Sequence, residues 1–174
     1  TDGYFFNAQG NNNDLNLTGS DGDDTFFSGN GADTFNGGLG SDTVSYKAVF
    51  ASYVSPGPIT VDLANSANNA GGDAAGDTFN SIENIDGSSG ADVISGDAND
   101  NALDGDGGDD TITGGAGDDT ITGGNGDDTL TGGNGDDTFV IDAGDDLITD
   151  LSDSDVVDIR QGASVAATVT ANYT

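Results

Sequence analysis

Aspartate returns at a fixed nine-residue interval along the second half of this chain, at Asp110, Asp119, Asp128 and Asp137. Written in nines from Gly105 to Val140, the sequence reads GDGGDDTIT, GGAGDDTIT, GGNGDDTLT, GGNGDDTFV. In each unit a glycine-rich quartet precedes an aspartate at place six, and a large apolar residue follows at place eight: Ile112, Ile121, Leu130, Phe139. Glycines at places one, two and four allow positive φ and a sharp turn, which points several carbonyls to one side. The aspartate adds an anionic oxygen. Carbonyl and carboxylate oxygens together are the ligand set that calcium prefers, six to eight of them at about 2.3–2.6 Å. One unit cannot supply so many, so each site must lie between two turns.

The elements that would hold those turns in place are short. Thr111-Ile112-Thr113 and its equivalents read as three-residue strands with the middle side chain inward. Two units make one coil of 18 residues with a turn on each side, and coils stack at about 4.8 Å, the spacing of neighbouring strands. That register predicts facing pairs Asp92/Asp110, Asp110/Asp128, Asp119/Asp137 and Asp128/Asp146, and, in an earlier block, Asp24/Asp42. The expected fold is all-β, a right-handed parallel β-roll (a β-solenoid), with no helix longer than about two turns.

The nonapeptide G-G-x-G-x-D-x-U-x, where U is a large apolar residue, held in phase over 36 residues, resembles the repeat of the RTX, or hemolysin-type calcium-binding, family. The resemblance implies that carboxylates at place six bridge neighbouring calcium ions, about five to eight in all, while carbonyls of places one to four complete each shell. The metal-site residues would then be Asp24, Asp33, Asp42, Asp92, Asn101, Asp110, Asp119, Asp128, Asp137 and Asp146, with Gly105, Gly107, Gly108, Gly114, Gly115, Ala116, Gly117, Gly123, Gly124, Asn125, Gly126, Gly132, Gly133, Asn134 and Gly135. It also implies export through type I secretion, read from the C-terminal end.

Composition narrows the function. The chain of 174 residues carries 32 acids against two bases, a net charge of −30. Nucleic acid is excluded as a natural partner, because phosphate binding needs a basic surface. Two like charges stacked about 5 Å apart repel by about 3 kcal/mol at an effective dielectric of 20, so the metal-free array should stay open. With no histidine and no cysteine, the chain holds no zinc motif, no Ser-His-Asp triad and no disulfide. Aspartates repeating in identical surroundings do not make the unequal pair that acid–base catalysis of glycoside cleavage needs. No apolar run reaches membrane-spanning length. An acidic, cysteine-free solenoid needing calcium fits an extracellular or cell-surface setting. The opening Thr1, with no initiator Met, reads as a piece of a larger parent chain.

In chain order, residues 1–18 read as an N-terminal cap with Tyr4, Phe5 and Phe6, and Leu15 standing at place six. Residues 19–45 form a first repeat block holding Asp24, Asp33 and Asp42. Asp33 has no partner 18 residues away in either direction, so its site is expected to be incomplete or completed by the insertion, and Asp33→Ala should hurt less than Asp119→Ala. Residues 46–86 break the phase as irregular spacer coils. There Ile59–Leu63 reads as one strand and Phe79–Ile85 as another, Tyr46, Phe50 and Tyr53 are exposed candidates for a ligand loop, and Asp77 could make a stray calcium turn. Residues 87–149 are the main block, with a weaker site beside Asn101, whose amide oxygen carries less charge. Residues 150–174 decay into a C-terminal cap and the start of a further β element.

These readings point to a non-catalytic calcium-binding structural module of a larger secreted or surface bacterial protein, such as an S-layer protein, an adhesin or an exoenzyme tail, with lateral self-assembly or a surface ligand left open. Two alternatives stand beside it: the tail of an RTX protease, lipase or epimerase, and an ice-binding module using outward Thr-x-Thr ladders.

Overall fold

The structure, a computed structural model, describes residues 3–49, 57–152, 154–160 and 164–165. Of the proposed ligand loop, Phe50 and Tyr53 lie outside these residues, as does most of the final β element. The chain is all-β, a solenoid of parallel strands mostly three residues long, and its helical content among the described residues is two single-turn 3₁₀ segments, Ser66–Asn68 and Gly72–Ala74. Among the described residues no helix is long and apolar enough to cross a membrane.

One face is a continuous eight-stranded sheet: β1 (Phe5–Asn7), β3 (Thr25–Phe27), β5 (Thr43–Ser45), β8 (Asn84–Asp86), β10 (Ala102–Asp104), β12 (Thr120–Thr122), β14 (Thr138–Ile141) and β16 (Val156–Ile159). The second set of strands forms two separate sheets. β2 (Asn16–Thr18), β4 (Thr34–Asn36) and β7 (Thr78–Asn80) make the first; β6 (Thr60–Asp62), β9 (Val93–Ser95), β11 (Thr111–Ala116), β13 (Thr129–Asn134), β15 (Asp145–Ile148) and β17 (Ser164–Val165) make the second. In the main block, pairing joins residues 18 apart, such as Ile112 with Leu130 and Ile121 with Phe139. The middle residue of each strand points inward. Phe26, Val44, Ile85, Leu103, Ile121 and Phe139 from one face meet Phe35, Val61, Ile94, Ile112, Leu130 and Ile148 from the other, all buried. At the N-terminal end Phe6 stacks on Phe26, with centroids 4.8 Å apart.

The spacer enters this stack out of order. After β5 the chain runs ahead to β6, which pairs with β9, then returns to β7, which pairs with β4. Phe79–Ile85 is therefore two strands on different sheets, broken at Ser81, whose φ of 50° ends β7. Between β7 and β6 no ladder forms, and side chains from the first 3₁₀ segment and its C-cap take its place. Asn69 accepts from the Asp62 amide at 2.8 Å and donates to the Asp77 carbonyl at 2.9 Å, while Ser66 Oγ accepts from the Phe79 amide at 3.2 Å.

The glycines divide by role more sharply than the sequence suggests. In the regular turns places two and four do hold positive φ, as at Gly115 (122°) and Gly117 (119°). Place one does not. A Cβ on Gly105 would instead collide with Asp110 Oδ2 and the carbonyl oxygen of Gly123, so this glycine is required for space. At place three, a Cβ on Gly107 would meet nothing nearer than 3.8 Å. Gly105→Ala is therefore expected to destabilise the calcium-loaded chain by about 1–3 kcal/mol, and Gly107→Ala to leave its denaturation midpoint unchanged. Equal losses in the two variants would refute this division.

Candidate metal centres

The strand ladder fixes where each place-six aspartate sits. Apart from Asn101, the place-six residues of both blocks (Asp24, Asp33, Asp42, Asp92, Asp110, Asp119, Asp128, Asp137 and Asp146) are at most 1% exposed. In each facing pair the backbone N–H of the earlier residue donates to Oδ1 of the later one. The distances are 2.8 Å for Asp24/Asp42, 2.7 Å for Asp92/Asp110, 2.8 Å for Asp110/Asp128, 2.9 Å for Asp119/Asp137 and 3.0 Å for Asp128/Asp146. All five pairs expected from the 18-residue register are brought together.

The other carboxylate oxygen tells more. Oδ2 of Asp33, Asp42, Asp110, Asp119, Asp128 and Asp146 is buried without a hydrogen-bond partner. A buried anionic oxygen left this way is costly, and such groups are normally paired or bound to a metal. Asp110 Oδ2 and the Gly123 carbonyl one coil on line the same small space, and Asp119 Oδ2 meets the Gly132 carbonyl in the same manner. Among the described residues no cation is aimed there: Lys47 pairs with Asp104 at 2.7 Å, near Asp86 and Asp106, and Arg160 sits by Asp142 and Asp158. No three carboxylates close on a common point among the described residues, so an ion here would be shared between carboxylate and main-chain oxygens. Hard, oxygen-only donors of this kind fit calcium.

Electrostatics agree with that donor set. Burial, opposed by the Asp92 amide and reinforced by the charges of Asp92 and Asp128, raises Asp110 to about 7. Burial likewise raises Asp119 and Asp128 to about 6, with Asp137 and Asp146 respectively adding like charge.

Within the turns, carbonyls of places two and three are committed to neighbouring coils. Asp106 O accepts from Asn125 N at 3.0 Å, Asn125 O from Gly108 N at 2.8 Å, and Asn134 O from Gly117 N at 2.9 Å. Asp24 and Asp92, which open their blocks, differ from those six aspartates with an unpartnered Oδ2. Ser20 and Ser88 stand at place two, and their amides satisfy Oδ2 at 2.5 and 2.6 Å.

Where the phase breaks, the structure finds substitutes that the repeat template could not show. Asp77, 44 residues on, faces Asp33 and accepts its N–H at 2.8 Å, so it is the missing partner and no stray turn. Glu83 does the same for Asp42 through Oε2 at 2.9 Å, and Leu15 N donates to Asp33 Oδ1. Tyr46, expected to be exposed, is fully buried and donates its hydroxyl to Asp77 at 2.8 Å. Place five contributes as well. Asp109, Asp118 and Asp127 are exposed, and their Oδ1 atoms accept from the amides of Asp127, Asp136 and Asp145, a second aspartate ladder signalled by the repeated Asp-Asp doublets.

Asn101 interrupts the buried row. Its Nδ2 donates to the Glu83 carbonyl at 2.8 Å and its Oδ1 accepts from Asp97 N at 2.8 Å, so a neutral amide fills the spot that Oδ2 leaves open elsewhere. Asn101→Asp is expected to add one bound calcium per chain and to lower stability in chelator, where the new charge is unpaired. An unchanged ion count on equilibrium dialysis would count against it.

Against known proteins, a family model described as the RTX calcium-binding nonapeptide repeat matches the chain in four copies, over residues 9–44, 77–112, 104–139 and 113–148. The matches leave out 45–76, the stretch in which the strands run out of order. No curated protein matches the chain.

Proposed function

This chain belongs to the RTX calcium-binding nonapeptide repeat family, and from that premise we propose that it serves as a non-catalytic, calcium-folded structural module of a larger secreted or cell-surface bacterial protein. The observation that carries the reading is the row of buried, unpartnered Oδ2 atoms on Asp110, Asp119, Asp128 and Asp146, each a carboxylate oxygen with no protein donor. Bound calcium supplies the positive charge that these oxygens lack. The aspartates hold the turns in register through their Oδ1 bonds, and the place-one glycines keep a Cβ out of the space that Oδ2 and the facing carbonyl share. The inward ladder offers one large apolar side chain per nine residues, so burial alone gives a thin core and the ions are integral to the fold. Export with the sites empty and folding outside the cell follow from the same coupling, because cytosolic free calcium is far below the level at which extracellular modules fill.

Equilibrium dialysis of the 174-residue chain against calcium tests this. About five to eight ions are expected, bound cooperatively because a folded coil templates the next. A chain that keeps its β structure and binds no calcium overturns the proposal.

A further inference from the structure

Both basic side chains of this acidic chain, Lys47 and Arg160, come to one groove. Four residues, each 18 from the next, stand in line beside the eight-stranded sheet: Asp106, Gly124, Asp142 and Arg160. Their register is fixed by the bridges from Asn125 to Gly107 and Ala143, and by the pairing of Ile141 with Ile159. Gly124 carries no side chain, so a notch opens between Asp106 and Asp142, whose turns lie two coils, or about 10 Å, apart. The cleft there has a volume of about 450 Å³, and Asp104, Thr122 and Asn125 complete its walls. Lys47 ties down the Asp104 side at 2.7 Å, and Arg160 bonds Asp142 at 3.4 Å on the other. A smaller depression of about 280 Å³ shares Asp104 and Thr122 and continues over the sheet past Thr120 and Thr43.

Asp106 is held in this cleft against its backbone preference. Its φ is 69°, in the left-handed region, where the matching place-two residues Gly115, Gly124 and Gly133 use the freedom of glycine. A side chain kept at such a position costs stability, and strain of this kind gathers at ligand sites. Within the protein the carboxylate does little. Its ion-pair partner among the described residues is Lys47 at 3.9 Å, beyond hydrogen-bond reach. The main chain of Asp106 is satisfied without that carboxylate: its N–H donates to Asp104 Oδ1 at 2.8 Å, and its carbonyl accepts from Asn125 N at 3.0 Å.

We propose that this cleft binds a neutral oligosaccharide, with Asp106, Asp142 and Arg160 as the groups that hold its hydroxyls. The lining selects the class. It offers no apolar side chain, which turns away a hydrophobic ligand. Its three acids outnumber the two bases tied to them, and a chain of net charge −30 repels an anion. The two bases oppose a cation, and among the described residues no group of three acids is placed to hold a metal ion. What the walls present is carboxylate acceptors, a guanidinium, an amide and the Thr122 hydroxyl, side by side. A sugar hydroxyl donates and accepts at once, so neighbouring hydroxyls of one ring can pair with a carboxylate and a guanidinium together. The volume falls in the range of small-ligand sites, and the second depression gives a longer saccharide a path along the sheet.

The experiment uses the whole chain in calcium, with its fold followed by far-ultraviolet dichroism. An array carrying neutral glycans, with uronate and glucosamine polymers as anionic and cationic counterparts, is probed with the wild-type protein. Binding confined to neutral glycans is expected. The strongest of them is then titrated calorimetrically into variants. Arg160→Met and Asp142→Asn should each weaken it about tenfold, the loss of one charged hydrogen bond. Asp106→Gly restores the glycine that the other turns carry, so it should abolish binding while the calcium midpoint for folding holds or improves. An Asp106 that only anchored Lys47 would do the reverse, losing stability on substitution and keeping the glycan. No neutral glycan bound, a preference for the charged polymers, or binding that survives all three substitutions overturns the inference and leaves the calcium module intact. Should Asp106→Gly disturb folding, Asp142→Asn and Arg160→Met decide.

Discussion

In excess chelator near neutral pH, the chain is expected to lose its β structure, and calcium near millimolar concentration to restore it cooperatively. The cause is the buried row Asp92, Asp110, Asp128, Asp146, in which each aspartate stacks one coil from the next and three of the four carry an orphaned Oδ2. Without a cation, these like charges repel in a setting where water cannot screen them. Acid should substitute for calcium in part. Burial raises Asp119 and Asp128 to about 6, and Asp110 and Asp77 to about 7, in the folded chain, above the 3.8 of a free aspartate. A raised pKa means that the folded form takes up protons more readily than the unfolded one. Its stabilising contribution is complete below about 3.8 and disappears as pH rises through 6 to 7. Circular dichroism in chelator should therefore show β structure growing as pH falls from 7 towards 4, and calcium affinity should weaken over that same interval because ligands must be deprotonated. A β spectrum that stays unchanged in chelator at neutral pH would falsify the coupling of folding to metal.

Asp33→Ala is expected to be as damaging as Asp119→Ala, against the expectation from phase alone that Asp33 stands without a partner. Removing either side chain strips an acceptor from a backbone amide, part-buried Leu15 N in one case and buried Asn101 N in the other, the buried one worth about 1–3 kcal/mol when left unpaired. Either change also deletes an orphaned Oδ2 and the ion it would bind. The calcium midpoint for folding should rise severalfold in both variants. In Asp100→Ala it should stay near wild type, because Asp100 is exposed and makes one surface bond, from Asp118 N. If Asp33→Ala tracks Asp100→Ala rather than Asp119→Ala, the Asp33 carboxylate and its bond from Leu15 N have no energetic weight.

The regular part of this architecture was legible because its period is local. Nine-residue spacing fixed the strands, the inward residues Ile94 to Phe139, and the facing aspartates of the main block, since each depends on the phase of a template. The spacer escaped because closure of a coil by 41 or 44 residues is settled by packing rather than by count. Glu83, nine residues before Asp92, and Asp77, in GDAAGDTFN, stand at place six of units without the full glycine quartet, and Tyr46 reads as a loop aromatic until its partner Asp77 is known. The place-one glycines were read for the right residue and the wrong cause: the constraint is a crowded oxygen one coil away, which a backbone-propensity argument does not contain.

The out-of-order strand also shapes how the roll would carry load. One face is an unbroken run of eight strands, while the other is interrupted between β7 and β6, where Asn69 and Ser66 side chains stand in for main-chain bonds. A beam with one continuous flange and one jointed flange does not bend equally in both directions. Flexing that opens the interrupted face strains a few side-chain contacts; flexing that opens the intact face must part a backbone ladder. The insertion thus makes the rod compliant in a single plane at a chosen point along its length, an articulation that uniform repetition of the nonapeptide could never produce.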